Sequence, residues 1–507
     1  MSLVLPPESR SLWDHEPRPS YDPLTERREA DVVVVGAGMA GLTTAVLLAR
    51  TGATVVVLEG AHIGAGTTGR TTAKISALQG TRYRTLEQAH DADVARAYAA
   101  AQIAGLDWIA ARVEERAVDC RFERRPAATY TTSAGEIAKI EEEAAAATRA
   151  GLLATTGTDL GLPFEVRAAV TVADQAQFDP TPYLYDLAAE VAALPGCAVH
   201  ELTRVTKVGG DGRVTTERAQ VTAGTVIITT LLPIADRGGF FARAEPKRSY
   251  SLAVQVNGEL PRTMVISTDQ PTRSLRSAWL DDEEVVVIGG GGHVVGRKQP
   301  TLSEYEALAA SAAEWYEDAT VVRRWSAHDY VPVDHLPMVG PLVPKRDHVL
   351  VATGFEKWGM TNATAAALAL ADRVAGGDGH GSAPWRATFD PARVSLEGAK
   401  AFAQLNAGVA ARLARDWVAP PPAVTETAVA TPTTRREGLT PVGESHGEGE
   451  GRCAVSRVCT HLGGIVQWND AETSWDCPLH GSRFARCGAV LEGPAVRALA
   501  EMPVSDD

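Results

Sequence analysis

Two groups of residues have the types and spacing to do chemistry. The first is Cys459-Thr460-His461 and, after 15 intervening residues, Cys477-Pro478-Leu479-His480. Two thiolates and two imidazoles in the pattern C-x-H, C-x-x-H make a ligand set for a local metal or redox site, and they would also satisfy one tetrahedral zinc ion. The second is Gly36-Ala37-Gly38-Met39-Ala40-Gly41, with Glu59 placed 18 residues beyond Gly41. Glycines at these positions permit a tight turn, backbone approach to a pyrophosphate and close packing of helix on strand. A following helix would offer free N–H groups to phosphates, and Glu59 could accept from ribose hydroxyls. This fingerprint does not separate FAD from NAD.

The elements needed to position these residues are legible around them. Val32 to Val35 is a continuous β-branched run that predicts a strand buried on both faces, Leu42 to Arg50 a helix, and Val55 to Glu59 a second buried strand. Leu86 to Val118 and Gly135 to Ala150 read as Ala-rich helices, and strand-like segments then dominate from about Val199 to Gly292. Val349 to Ala352 is another buried strand, leading through Gly354 to a helix over Asn362 to Val374. A last helix is predicted over Ala399 to Trp417, and a Pro-rich linker from Pro420 to about Pro441. The expected organisation is a lead-in over 1–30 and an α/β unit over 31–395, its nucleotide-binding parts near 31–85, 195–235 and 330–380 with a β-rich substrate part inserted. A helix and linker over 396–434 and a small all-β unit over 435–507 follow.

Composition limits the function. The chain has 507 residues with 45% hydrophobic and 22% charged, as expected of a folded multidomain protein. Its net charge of -14 disfavours nucleic acid or an anionic membrane as the main partner. Four of six cysteines (Cys453, Cys459, Cys477, Cys487) crowd into the last 55 residues, which suits a local site rather than a disulfide scaffold. Pro6, Pro7, Glu8 and Asp14 stand where a secretory signal would need an apolar core, and no apolar stretch is long enough to span a bilayer. A cytoplasmic location is therefore expected, with Cys453 and Cys487 as free thiols.

Further motifs bring a resemblance into view. Gly66-Thr67-Thr68-Gly69-Arg70-Thr71-Thr72-Ala73-Lys74, Phe178-Asp179-Pro180, Val333 to Gly340 and Gly354-Phe355-Glu356-Lys357-Trp358-Gly359-Met360-Thr361 resemble, in order, motifs of the D-amino acid oxidase-like family of FAD-dependent oxidoreductases, which includes glycine, sarcosine and glutamylputrescine oxidases. The resemblance covers about residues 10–380. It implies that Gly36 to Gly41, Glu59 and Gly60 hold the dinucleotide, that Val205 holds the adenine, and that Thr68, Arg70, Thr71, Thr72, Ala73, Gly354, Gly359, Met360 and Thr361 line the pyrophosphate or flavin. Arg70 stands where a flavin-attaching His would be expected, so FAD is expected to be non-covalent. The implied substrate is an amine or amino acid oxidised at a C–N bond, with Arg248, Tyr250, His328 and Lys357 as catalytic candidates.

The C-terminal pattern resembles the Rieske [2Fe-2S] motif, in which Cys459 and Cys477 would hold one iron and His461 and His480 the other. Many Rieske domains join their ligand loops by a disulfide, and Gly464 and Leu479 occupy those positions here. Phe484 stands where high-potential members carry a Tyr, while Ser482 remains as a donor. A potential in the lower part of the Rieske range, about -150 to +300 mV, is expected. The segment before Cys459 is short for such a domain, which suggests an incomplete scaffold. Together the motifs imply a dehydrogenase or oxidase passing electrons from FAD to the cluster and on to an external one-electron partner. The alternative is a reductase or electron-transfer flavoprotein in which the cluster feeds or drains FAD without amine oxidation.

Overall fold

Alternate valines of the first strand serve two different cores. Val32 and Val34 pack with the helical layer, whereas Val33 and Val35 pack with Val226, Ile228 and Val351 on the opposite face. This two-sided burial is why the run lacks polar alternation. The computed structural model describes residues 3–376, 383–418, 432–447 and 450–505. The Arg28–Val35 strand pairs in parallel with Val55–Leu58 on one side and Gln220–Ile228 on the other. Ala198–His200 and Arg346–Thr353 extend this parallel core, and Met338–Val343 adds an antiparallel edge in an eight-stranded sheet. The helix after the glycine turn runs over Met39–Ala49, so Gly41 lies inside its first turn rather than before it.

A second sheet has nine strands, in the order Thr320–Pro332, Ala244–Gln255, Glu283–Val294, Arg273–Leu280, Met264–Ser267, Glu123–Thr131, Ala168–Gln177 and Lys74–Ile75, with Ala154–Gly157 paired at its flank. The chain enters this layer and returns to the first sheet, giving the discontinuous α/β arrangement with an inserted β-rich part. The helix expected from Leu86 to Val118 is two helices, Arg82–Ala89 and Ala92–Arg116. Asp91 ends one register and caps the next by accepting from the Val94 N–H.

The C-terminal unit consists of a three-stranded sheet (Thr433–Glu437, Thr440–Gly447, Glu450–Ser456) and a four-stranded sheet (Gln467–Asn469, Ser474–Asp476, Arg483–Ala485, Val490–Glu492). Fully buried Trp475 ties them together, its ring lying over Gly443, where a Cβ would approach within 2.3 Å. Three scaffold strands thus precede Cys459, where an incomplete scaffold was expected. Of the Pro-rich linker expected from Pro420 to about Pro441, residues 420–431 lie outside the described residues, and the remainder is not linker but the Thr433–Glu437 strand and the start of Thr440–Gly447.

Docking between the two units is extensive. Thr301 donates to Asn469 Oδ1 at 2.7 Å, Tyr305 to Glu472 at 2.7 Å, Arg324 to the Ala471 carbonyl at 2.9 Å and Arg204 to the Val490 carbonyl at 3.0 Å. The helix Leu396–Val418 adds Val409 and Leu413 to the C-terminal core.

One expectation is corrected. Cys453 and Cys487 form a disulfide, with Cα atoms 5.3 Å apart, rather than remaining free. The turn after Arg483–Ala485 packs onto the Glu450–Ser456 strand, where a Cβ at Gly488 would meet Val455 at 3.2 Å, and this contact brings together two cysteines 34 residues apart. The expectation of free thiols followed from a reducing compartment, and it is this expectation that the bridge overturns. After acid removal of the metal, alkylation of the unfolded chain without reductant is expected to label four cysteines, rising to six with reductant. Six labelled at the outset would refute the bridge.

Candidate active site and metal centre

Local packing builds the dinucleotide cradle. Gly41 lies so close to the turn that a Cβ would fall 1.9 Å from the Gly36 carbonyl oxygen, so only glycine lets the Met39–Ala49 helix start there. Glu59, at the end of the second strand, accepts from the Ala37 N–H and the Ala61 N–H, both at 2.9 Å, which fixes its carboxylate beside the turn. Thr68 accepts from the Met39 N–H at 3.2 Å and so brings the second motif against the helix N-terminus.

These groups open on an elongated cavity of about 940 Å³. Gly36 to Ala40, Glu59, Gly60, Thr68, Arg70 to Thr72 and Val205 line it at the dinucleotide end, and Gly359 and Met360 at the start of the Gly359–Val374 helix. Gly41, Ala73, Gly354 and Thr361 stand behind this wall. Gly354 packs on Pro332, and Thr361 accepts from Gln79 at 3.1 Å. Glycine at 38 leaves the cradle open towards Thr68, 3.2 Å from where a Cβ would sit. A long, glycine-floored cleft ending on helix N-termini fits a dinucleotide with anionic phosphates.

Beyond the cradle the cavity is bounded by Lys357 and the glycine run Gly289 to Gly292, and Tyr250 adjoins it with a fully buried side chain packed against Tyr305. A Cβ at Gly292 would meet the Lys357 ammonium at 2.8 Å, so the bare strand makes room for that cation. Lys357 is open to the cavity yet enclosed by protein. That burial lowers its pKa, opposed by the nearby Asp329 carboxylate. Asp329 is itself pushed up to about 6 by burial, against the N–H bonds it accepts from Tyr330 and Lys357. Tyr250 shares a hydrogen bond with His293 at 3.1 Å.

Arg248 and His328 do not line the cavity. They are paired across adjacent strands and face the C-terminal unit instead. His328 Nδ1 lies 2.9 Å from Glu492, and the Arg248 guanidinium lies 3.7 Å from both Glu492 and Asp476. Arg248 alternates with Lys247, Ser249 and Ser251, which line the cavity, and it keeps unbroken register with His328 on the neighbouring strand, so its side chain lies on the face turned from the cavity. Reasoning from sequence missed two groups here. Lys74 is a buried amine lowered to about 7 by burial and the Arg276 charge, and it donates to the Val265 carbonyl at 2.7 Å. The C-terminal segment Leu491 to Val496 completes the cavity wall.

The four proposed ligands sit on two loops of matching geometry. The Cys459 N–H donates to the carbonyl of Gly464 and the Cys477 N–H to that of Ser482, both at 2.8 Å, and each loop turns on a glycine with left-handed φ, +73° at Gly463 and +79° at Gly481. The two thiols hydrogen-bond one another, the two imidazole rings stand 5.2 Å apart, and the Ser482 hydroxyl bonds to the Cys459 thiol. Among the described residues, no three such groups converge as a single ion would require. The pairing, thiol with thiol and imidazole with imidazole, fits a cluster of two irons better than one zinc. Leu479 covers Gly464, closing the space where a loop-bridging disulfide would lie.

Comparison with known proteins agrees with both centres. Residues 31–373 match the FAD dependent oxidoreductase family, and residues 440–503 match the Rieske [2Fe-2S] domain. The chain belongs to the FAD dependent oxidoreductase family. Its cofactors are FAD and a Rieske [2Fe-2S] cluster. Nearly the whole chain is similar to a Bacillus subtilis protein, YhfW, named for a Rieske 2Fe-2S centre: 33% identity over 496 residues, 96% of this chain and 95% of that one. The ligand region is 49% identical over 55 residues to the cytochrome b6-f complex iron-sulfur subunit of Nostoc punctiforme, 10% of this chain and 31% of that one. The fold resembles glycine oxidase from Geobacillus kaustophilus (TM-score 0.59, 19% identity, 72% of this chain and 99% of that one) and L-amino acid deaminase from Proteus myxofaciens (TM-score 0.57, 17% identity, 73% and 94%). No helix among the described residues is long and apolar enough to cross a membrane.

Two outcomes test this site. Gly41→Ala is expected to purify with little FAD, read as the ratio of flavin to protein absorbance. Ser482→Ala removes a donor to a ligand sulfur and is expected to lower the cluster's midpoint by about 60 mV, the one-electron equivalent of roughly 1.4 kcal/mol. An unchanged midpoint would remove Ser482 from the cluster's hydrogen-bonding shell.

Proposed function

We propose that the enzyme is an amine or amino acid dehydrogenase in which FAD supplies the two-electron acceptor for a C–N bond and the cluster a one-electron outlet to an external acceptor. The observation that carries this reading is the shared wall: Leu491 to Val496 of the cluster domain bound the same cavity as the flavin cradle and Lys357. Proteins of similar fold are named for amino acid chemistry, among them glycine oxidase, L-proline dehydrogenase and L-amino acid deaminase.

Lys357 is the substrate's carboxylate anchor in this proposal. Its ammonium faces the cavity opposite the glycine run, and enclosure strengthens its attraction for an anion. Tyr250, held by His293, borders the same space. Burial of the cavity walls excludes water and favours the neutral amine required for oxidation. Arg248 and His328 act at the domain contact instead, and FAD is held without a covalent bond.

Anaerobic mixing with a panel of amines and amino acids is expected to bleach the flavin absorbance and then to reduce the cluster. Flavin bleached while the cluster stays oxidised would overturn the outlet. Bleaching only by a reduced donor would favour the reductase reading. Lys357→Met is expected to raise KM about tenfold or more with a smaller change in kcat. Because the ammonium binds a carboxylate only while protonated, affinity is expected to fall as pH rises through the lowered pKa of Lys357, earlier than for an ordinary lysine. A KM unchanged in that variant would exclude the anchor.

A further inference from the structure

The imidazole edge of the cluster site is closed by the flavin domain. The side chain of His461 is only 5% exposed and His480 only 4%. Three groups from the flavin domain cover them. Asp236 Oδ1 lies 2.8 Å from His461 Nε2. The Phe241 ring stands edge-on to both imidazoles, with centroids 5.5 Å and 5.0 Å away. The Tyr330 hydroxyl donates to the His480 carbonyl at 2.8 Å. Asp236 and Phe241 follow the Gln220–Ile228 strand, on a stretch whose earlier residues Thr229, Thr230, Leu231 and Ile234 line the flavin cavity. One segment therefore borders both centres.

The Asp236 contact determines more than position. A neutral imidazole carries one N–H, and a carboxylate beside Nε2 accepts that hydrogen, which leaves Nδ1 free to bind iron. The carboxylate side chain is 51% exposed, so it fills no core of its own. Its negative charge lies one hydrogen bond from a ligand of a centre that gains an electron on reduction, and it therefore favours the oxidised state.

We propose that Asp236 is a positioning residue of the [2Fe-2S] cluster, fixing His461 with Nδ1 towards iron and holding the cluster's reduction potential down. This assignment rests on the cluster alone and does not depend on the substrate or on the direction of electron flow.

The test uses the full chain carrying both FAD and cluster, titrated reductively with redox dyes and no substrate while the cluster's EPR signal is followed. Asp236→Asn keeps the shape and removes the charge. Its midpoint is expected to rise by the equivalent of about a tenfold change in the reduction equilibrium, 59 mV for one electron, a size limited by solvent screening at a half-exposed group. The flavin midpoint in the same titration is expected to stay in place. Asp236→Glu should return the cluster midpoint most of the way to wild type, and Asp211→Asn, which removes an exposed carboxylate elsewhere on the same domain, should leave it unmoved. If Asp236→Asn and Asp236→Ala lose the cluster while Asp236→Glu retains it, positioning is upheld by iron content. A fully loaded Asp236→Asn variant with wild-type midpoint and EPR signal overturns the proposal.

Discussion

A carboxylate buried between two domains constrains the rest of this molecule. Glu492 belongs to the cluster domain, yet it contacts Arg483 of its own domain at 3.2 Å, His328 of the flavin domain at 2.9 Å and Arg248 at 3.7 Å. Burial alone would push its pKa up, but the Arg483 charge, the hydrogen bond with His328 and the Arg248 charge hold it ionised and well below the ordinary range. Removing one partner from such a group leaves an uncompensated buried charge, at a cost of about 3–5 kcal/mol. The domains therefore have one arrangement in which every charge is matched. Asp476, bound by Arg483 at 3.2 Å and lying near Arg248, strengthens the same lock.

That lock brings the two redox sites together. Arg483 follows the second ligand loop by three residues, and Glu492 opens the segment that completes the flavin cavity. Whatever aligns Arg483 with Glu492 thus also sets His480 against the flavin domain and Leu491 to Val496 along the cavity wall. One network of paired charges serves as a ruler between the two sites.

The parts legible in the sequence are those whose chemistry is local. The Gly36 to Gly41 turn, Glu59 and the paired Cys and His loops declare themselves because a phosphate cradle or a ligand loop needs particular residue types a few positions apart. Arg248 illustrates the limit. Two residues from Tyr250 on a strand, it reads as a pocket residue, but it lies on the strand face opposite Ser249 and Ser251 and meets Asp476 and Glu492 of the other domain. Asp236 and Glu492 carry no motif at all, and Lys74 ends one without its buried state being visible there, since each matters through a partner far away in the chain. The Cys453–Cys487 bridge is of the same kind: composition suggests the compartment, but only the packing of a turn on a strand brings these two sulfurs together.

The position of that bridge explains how the ligand loops are held. In the resemblance that identified them, a disulfide commonly ties one loop to the other, and here Gly464 and Leu479 replace it. The covalent link present instead joins a scaffold strand to a turn, away from the ligands, so it braces the sheets and leaves the loops unbridged. Leu479 packing on Gly464 supplies contact between them but no directionality. Direction comes from the flavin domain, through Tyr330 at the His480 carbonyl, Arg297 at the Pro478 carbonyl 3.2 Å away, and Asp236 at His461. Loops braced by a neighbouring domain need no bridge between themselves, and they gain a dependence that a bridged domain lacks. Their geometry, and with it the cluster's electronic environment, is set by the surface against which they are docked.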